Sequence, residues 1–383
     1  MIYFDNAATT GKKPISVIKQ VERALCTLSA NPGRSGHKLS EKAAAEVYSV
    51  REKTAQFFGA SGAENVVFTA NCTASLNYVI KGVLKRGEHC IISDLEHNAV
   101  LRPLHKWGVN YDMASVSLTD DNKTVENFKR LITNNTKMII CTGASNVVGK
   151  LLPIGEIGRL CKERNILFAV DAAQIAGVVP INMKEMNIDY LCVAAHKGLY
   201  APMGVGILIA EKPINNTLFE GGTGTNSNDL EQPEFLPERL ESGTVNVSGI
   251  IGVGAGIDFV NKIGVKKIHK KEISLLKNLY NRLSRQSGII LYTPSIDVES
   301  YAPVLSFDIN GLTSGETANL LNEKGIAVRA GLHCAPLAHK KIGTIDNGTV
   351  RVSPSVFNTY EEVEYLYKQI SGINKKYNKY LLN

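Results

Sequence analysis

The chain has no run of eighteen or more apolar residues, so no segment reads as a membrane-spanning helix. Its opening residues, MIYFDNAATTGKKP, carry neither a basic leader nor an apolar signal core. A soluble, cytoplasmic protein is expected. Cysteine is sparse, seven residues in 383, an odd number spread without C-x-x-C spacing. This excludes a disulfide framework and the usual zinc knuckles, and no metal site is expected. Cys90, Cys141 and Cys192 fall inside apolar strand-like runs and read as buried, reduced thiols. Zinc fingers, RNA-binding signatures and aromatic-studded basic grooves are also missing, as are internal repeats and low-complexity tracts. No nucleic-acid partner and no repeat architecture are expected.

What is present is enough for a full core, since 44% of the residues are apolar, and the length suits two or three structural units. The net charge of +7 is concentrated in one place. Lys262, Lys266 and Lys270 repeat every four residues, with Lys267 and Lys271 beside them, predicting a basic stripe along one helix, a solvated face by ordinary expectation. Apolar spacing predicts helices over 15–28 and 40–58, the second capped by Ser40. Strand-like runs follow in NVVFTA, HCIISD, MIICTG, ILFAVD, YLCVAA and GVGILIA, mostly separated by helical or loop segments. That alternation predicts a largely parallel sheet with helices on both faces and ligands at the carboxyl ends of its strands. Residues 212–248, rich in Gly, Pro, Asn and Thr, predict a long ordered loop. Beyond residue 262, a long helix, strands in GIILYTP, PVLSFDI, IAVRA and TVRVS, and a last helix over 359–377 predict a smaller α+β unit.

Several polar residues fall at those strand ends. Lys197, after the run YLCVAA and before Gly and Pro turn signals, is placed to form a Schiff base with an aldehyde cofactor such as pyridoxal phosphate, or to be a solvated surface lysine. Asp171, twenty-six positions earlier at the end of another run, would keep a proton on a pyridine nitrogen or simply cap a helix. Thr73 and the amides around it open a helix and would hold phosphate or only cap it. Cys72 beside it reads as a small filler residue. His97 would stack on a flat ring and move protons, or serve as a surface or capping residue. Asn146 and Gln174 would bond a ring oxygen, although turn formation explains Asn146 equally well. Arg351 suits a carboxylate through its planar fork, with a solvent-facing role as the alternative. Cys334 differs from the other cysteines in lying on a loop, after His333 and near Arg329. Exposure and positive neighbours favour its nucleophilic thiolate, structural filler being the commoner fate of a cysteine.

The order of these motifs resembles the class V branch of fold-type I pyridoxal phosphate enzymes, in particular the cysteine desulfurase and selenocysteine lyase family. The likeness runs through YFDNAATT, GRSGHKLS, LEHNAV, SNVVGKLLPI, VDAAQIAG, AAHKGLYAPMGVG, LESGTVNVSG, RAGLHCAP and TVRVSPSVFNT. It implies a mostly parallel seven-stranded sheet flanked by helices plus a smaller α+β C-terminal domain. The implied division is an arm over 1–14 packing on the small domain, a large cofactor domain over 15–258 and a small domain over 259–383. Pyridoxal 5'-phosphate would be held by Cys72, Thr73, His97, Asn146, Asp171, Gln174, His196 and Lys197, with Thr244 reaching in from the second subunit of a homodimer. Arg351, Asn146, His37 and Arg329 would bind substrate. Lys197, His97 and Cys334 would be catalytic, Cys334 accepting sulfur from L-cysteine as a persulfide, with alanine released and a sulfur-acceptor protein as a further partner.

Two positions depart from the family pattern. Ala194 stands where better-known members have serine, removing one phosphate hydrogen bond, and Leu332 stands where the sulfur-mobilising branch often has histidine. Other class V reactions therefore stay open, among them selenocysteine lyase, cysteine sulfinate desulfinase and aminotransferase. A catalytically silent scaffold is the remaining alternative, against which stands the joint presence of Lys197, Asp171, His97 and Arg351.

Overall fold

The computed structural model describes residues 1–33, 35–225 and 227–378. Arg34 of the GRSGHKLS motif, Asn226 of the long loop and the last five residues of the expected small domain lie outside the described residues. The strands are β1 Ile2–Tyr3, β2 Val66–Thr69, β3 His89–Ser93, β4 Asn110–Ala114, β5 Thr136–Thr142, β6 Leu167–Asp171, β7 Tyr190–Ala194, β8 Gly206–Ala210, β9 Ile289–Leu291, β10 Leu305–Ile309, β11 Ile326–Ala327, β12 Arg329–Gly331 and β13 Thr349–Val352. The helices are α1 Ile15–Thr27, α2 Lys38–Phe58, α3 Cys72–Val83, α4 Asn98–Trp107, α5 Asp121–Leu131, α6 Ile154–Arg164, α7 Val247–Ile263, α8 Val265–Leu283, α9 Ser314–Glu323, α10 Pro336–Ile342 and α11 Tyr360–Asn378. None of the described helices is long and apolar enough to cross a membrane.

Seven strands form the main sheet in the order β2-β8-β7-β6-β5-β3-β4, parallel except at β8, which runs antiparallel to both β2 and β7. Strand parity sorts the core. Phe168, Val170, Leu191, Val193, Ile207 and Ile209 face a layer built from α1, α2, α5, α6 and α7. Their neighbours Ala169, Cys192, Ala194 and Leu208 face α3 and α4. Both sheet faces are thus covered, which is why these strands read as continuous apolar runs. Each fully buried aliphatic side chain contributes about 1.5–3 kcal/mol.

A second core joins α8, α9 and α11 to a four-stranded sheet, β12-β13-β10-β9, and takes in Phe4 from the N-terminal arm. The arm is tied there by β1, which pairs in parallel with β11.

One strand went unread in the sequence, and three expectations need correction. The seventh strand of the large sheet, β4, has no apolar signal because NYDMA lies at the sheet edge, with all but Ala114 exposed. Helix α2 starts before Ser40: His37 is the cap, its Nδ1 accepting from the Ser40 amide at 3.2 Å, while Ser40 Oγ donates to the Asn31 carbonyl. The basic stripe is split, because Gly264, with φ +93°, ends α7 after Lys262 and starts α8 before Lys266. The run IAVRA is two strands, β11 joining the arm and β12 joining the four-stranded sheet.

The segment between β8 and α7 has no helix or strand among its described residues. It is nevertheless anchored. Glu241 forms a buried ion pair with Arg51 and accepts from the Phe68 amide at 2.6 Å, pinning the loop against α2 and β2. Its tip leaves Phe219, Leu230 and Phe235 exposed.

Candidate active site

The site lies at the carboxyl ends of β3, β5, β6 and β7, where a cavity of about 110 Å³ opens. Larger clefts, of about 660 and 730 Å³, lie at the amino ends of these strands. The carboxyl-end cavity alone of the three combines an amine, a carboxylate, two imidazoles and a helix amino terminus. Cys72, Thr73, His97, Asn146, Asp171, Gln174, His196 and Lys197 all line it.

Lys197 sits in a tight turn after β7, its amide bonded to the Ala194 carbonyl at 3.2 Å and its carbonyl accepting from Tyr200 at 2.9 Å. Close packing fixes this turn: a Cβ on Gly198 would lie 2.3 Å from the Ala176 carbonyl. The side chain reaches the cavity but is otherwise enclosed. Burial lowers its pKa, against the opposing pull of Asp171, which makes the neutral, nucleophilic amine more accessible than in a free lysine. Asp171 is buried on the α3 face of the sheet, where its Oδ1 accepts from the Ala173 amide at 2.9 Å and from Cys72 Sγ at 3.4 Å. Burial, followed by Asp171, pushes the Cys72 thiol well up, so Cys72 stays protonated and is a donor rather than a nucleophile.

Helix α3 begins beside this carboxylate, capped by Asn71, whose side chain accepts from Ala74 at 2.9 Å. The first-turn amides of Cys72 and Thr73 have no intrahelical acceptor and suit an anion. Gly206 lets α3 start directly against β8, since a Cβ there would lie 2.4 Å from the Asn71 carbonyl carbon and 2.8 Å from the Cys72 nitrogen. That requirement was hidden in the sequence.

His97 fills its capping role and the cavity at once: Nδ1 accepts from the Ala99 amide at 3.0 Å, which assigns the proton of the neutral ring to Nε2. Burial lowers its pKa, with Asp171 opposing. His196 is held by Thr9, whose Oγ1 lies 3.0 Å from Nδ1, and burial takes its pKa down to about 4. Gln174 donates to the Ala7 carbonyl at 3.2 Å, linking the site to the arm.

Two residues outside the cavity are tied to its wall through Asn146. Its Nδ2 donates to the His333 carbonyl at 2.7 Å, and its own carbonyl accepts from Arg351 Nη1 at 3.1 Å. Arg351 is buried rather than solvent-facing, and its Nη2 donates to Asp5 Oδ1 at 2.7 Å. Cys334 is exposed, its carbonyl accepting from the Asn98 amide at 2.7 Å at the start of α4. His333 and Cys334 both lie in the left-handed region, with φ of +50° and +57°, a strained pair for non-glycine residues. The expected positive charge of His333 is not supplied. Its ring is buried, stacked on His339 and bonded to it at 3.3 Å, and burial takes its pKa down to about 2. Only Arg329 of the two named neighbours is cationic.

Thr244 and His37 do not line the cavity of their own chain. Both are exposed; Thr244 accepts from Asn31 at 3.3 Å, and His37 caps α2.

The family model of class-V aminotransferases matches residues 2–366. The chain belongs to the aminotransferase class-V family. Among its relatives is a probable cysteine desulfurase of Methanothermobacter thermautotrophicus, 31% identical, the match covering 97% of this chain and 94% of the relative. A probable cysteine desulfurase of Pyrococcus abyssi is 33% identical, with 95% and 92% covered. The apo structure of the cysteine desulfurase from Thermococcus onnurineus NA1 superposes with a TM-score of 0.88 at 32% identity, covering 98% of this chain and 95% of that one. The fold is that of these class-V proteins.

Proposed function

We propose that this protein is a pyridoxal phosphate-dependent cysteine desulfurase that converts L-cysteine to L-alanine and leaves the sulfur as a persulfide on Cys334. The observation that carries this reading is Lys197 and Asp171 in one cavity, with buried Arg351 tied to its wall through Asn146 and exposed Cys334 bonded to the Asn98 amide beside it. The donor set fits the cofactor: an amine of lowered pKa, a buried carboxylate, and a helix amino terminus that opens into the cavity. When bound, pyridoxal phosphate supplies an aldehyde for amines and a ring that takes up the electron pair released at the substrate's α carbon.

Lys197 would hold that aldehyde and later move the α proton. Asp171 would keep the ring nitrogen protonated, and the start of α3, Thr73 and His196 would bind phosphate. His97 would lie against the ring and shuttle protons through Nε2. Arg351 would anchor the substrate carboxylate so that the bond to be broken stands across the ring plane. The Cys334 thiolate would attack the substrate sulfur; the carbon–sulfur bond breaks, its electron pair stays with carbon, and that carbon gains a proton to become the methyl group of alanine. Substrate thiol and enzyme thiol thus give alanine and a Cys334 persulfide with no outside oxidant. The exposed loop lets the persulfide meet an acceptor.

In this reading residues 1–14 form the arm, 15–258 the cofactor domain and 259–383 the small domain of a cytoplasmic homodimer. Thr244 and His37, remote from their own cavity, would then serve the partner's site. The test is a visible spectrum of purified protein loaded with pyridoxal phosphate, followed by L-cysteine and a reductant. A visible band removed by borohydride, with alanine and sulfide formed in equal amounts, is expected. A coloured protein inert to cysteine would overturn the substrate assignment, and one that cannot be reconstituted would overturn the cofactor assignment.

A further inference from the structure

Asp171 ends β6, and the protein treats its two carboxylate oxygens differently. Oδ1 accepts from the Ala173 amide at 2.9 Å and from Cys72 Sγ at 3.4 Å, which fills both lone-pair sites of that oxygen. Oδ2 accepts no hydrogen bond from the described residues. Because Asp171 is buried except where it lines the cavity, Oδ2 is the oxygen left for a donor that enters there. A protonated ring nitrogen is such a donor. The Ala173 bond is local, made within the turn that carries the carboxylate, whereas Cys72 comes from ninety-nine positions away in the chain. Two anchors on one oxygen hold the carboxylate plane that one alone would let swing.

The start of α3 sets the place of Cys72. It is the first helical residue after the Asn71 cap, and the contact with Gly206, where a Cβ would come within 2.8 Å of the Cys72 nitrogen, fixes its backbone against β8. The thiol has one proton to give. Burial and then Asp171 keep that proton on sulfur, and Sγ directs it to Asp171, so none is left for a phosphate at the same helix end. Cys192, the register partner of Asp171 on β7, and Lys197 also act on the thiol, yet neither gives Asp171 a hydrogen bond. Cys72 is thus the one side chain among the described residues that donates to this carboxylate.

We propose that Cys72 is a positioning residue: by holding Oδ1 of Asp171, its thiol turns Oδ2 toward the ring nitrogen of the bound cofactor. This rests on the cofactor reading above and deepens it, because it gives the Cys72 side chain a task at the ring nitrogen rather than at the phosphate.

The test is spectroscopic titration of the full-length, cofactor-free protein with three probes: pyridoxal phosphate, pyridoxal, which lacks the phosphate, and deazapyridoxal phosphate, which has carbon in place of the ring nitrogen. Cys72→Ala is expected to raise the dissociation constants of pyridoxal phosphate and pyridoxal by a common factor of about threefold to tenfold, one hydrogen bond's worth, and to leave the deaza compound within about twofold of wild type. Cys72→Ser keeps a donor and should restore both constants. Cys72→Val fills the space without a donor and should repeat the alanine pattern, which keeps the test open if the smaller side chain unsettles the helix start. Three outcomes would overturn the proposal: all probes weakened alike, which is packing; the two phosphates weakened with pyridoxal spared, which is phosphate binding; or no constant changed beyond about twofold. Failure of wild type to take up pyridoxal phosphate would overturn the cofactor reading and the role of Cys72 with it. A protein that shows the expected pattern yet leaves L-cysteine intact keeps the role of Cys72 and loses only the substrate assignment.

Discussion

Lys197 and Cys334 serve one proposed reaction from opposite kinds of ground. The lysine follows a strand of five buried residues and sits in a turn fixed by a glycine contact too close for any side chain. The cysteine is exposed on a loop whose two central residues sit in left-handed backbone, held by hydrogen bonds to Asn146, to the Asn98 amide and to His339. The difference follows from the tasks. A cofactor ring needs a dry, rigid frame in which charges act strongly, whereas a persulfide has to be handed on and so needs a solvent-facing support.

The comparison breaks most completely at Lys197. Lys197→Ala is expected to lose about a thousandfold or more in alanine formation, together with the borohydride-sensitive link, while the alkylation rate of Cys334 stays unchanged. Slowed alkylation would show that the loop depends on the lysine turn. Cys334→Ala should cost about a hundredfold or more in sulfur transfer yet leave the visible spectrum intact and unfolding stability within about 0.5 kcal/mol, as suits an exposed loop residue. Normal persulfide transfer by that variant would sink the role of Cys334, and retained cleavage of selenocysteine or cysteine sulfinate would point to those activities.

Acid should sharpen the contrast in a different way. His333 and His196 have folded pKa values of about 2 and about 4, below the unfolded value near 6.5. Depressed histidines give stability that is complete above the unfolded pKa and is lost as pH falls toward the folded value, because the unfolded chain then binds protons that the folded chain refuses. Each should cost about 2 kcal/mol between pH 6.5 and pH 5. Glu96 works the other way. Burial raises its pKa to about 8, so its contribution is complete below the unfolded pKa and fades as pH rises toward that value. Denaturant midpoints across pH 5–9 measure both arms, and His333→Gln should flatten the acid arm; an unchanged acid slope would contradict the neutral His333. The smallest expected effect is at Ala194, at the cavity edge. Ala194→Ser should tighten cofactor binding by about threefold to tenfold, one hydrogen bond's worth, read by dialysis against pyridoxal phosphate.

The sequence made the cavity legible because its residues follow apolar strands, and a parallel sheet has to bring strand carboxyl ends to one edge. Six strands could be read because burial makes them continuously apolar, the edge strand β2 included; β4 could not, since at its edge all but Ala114 is exposed. What stayed hidden depends on long-range pairing. Asp5 meets Arg351 only through the strand bridge to Ser353, and His333 loses its charge only because it packs on His339. The need for Gly206 is likewise set from far away, by the start of α3 packed against it.

The central claim is that Lys197 and Cys334 belong to a single reaction. Mass spectrometry of the cofactor-loaded protein after one addition of L-cysteine without reductant tests this most directly. The expected result is one added sulfur on the Cys334 peptide, alanine in equal amount, and neither product from Lys197→Ala. Alanine formed with Cys334 unmodified, or sulfur added at Cys334 in the Lys197→Ala protein, would contradict it.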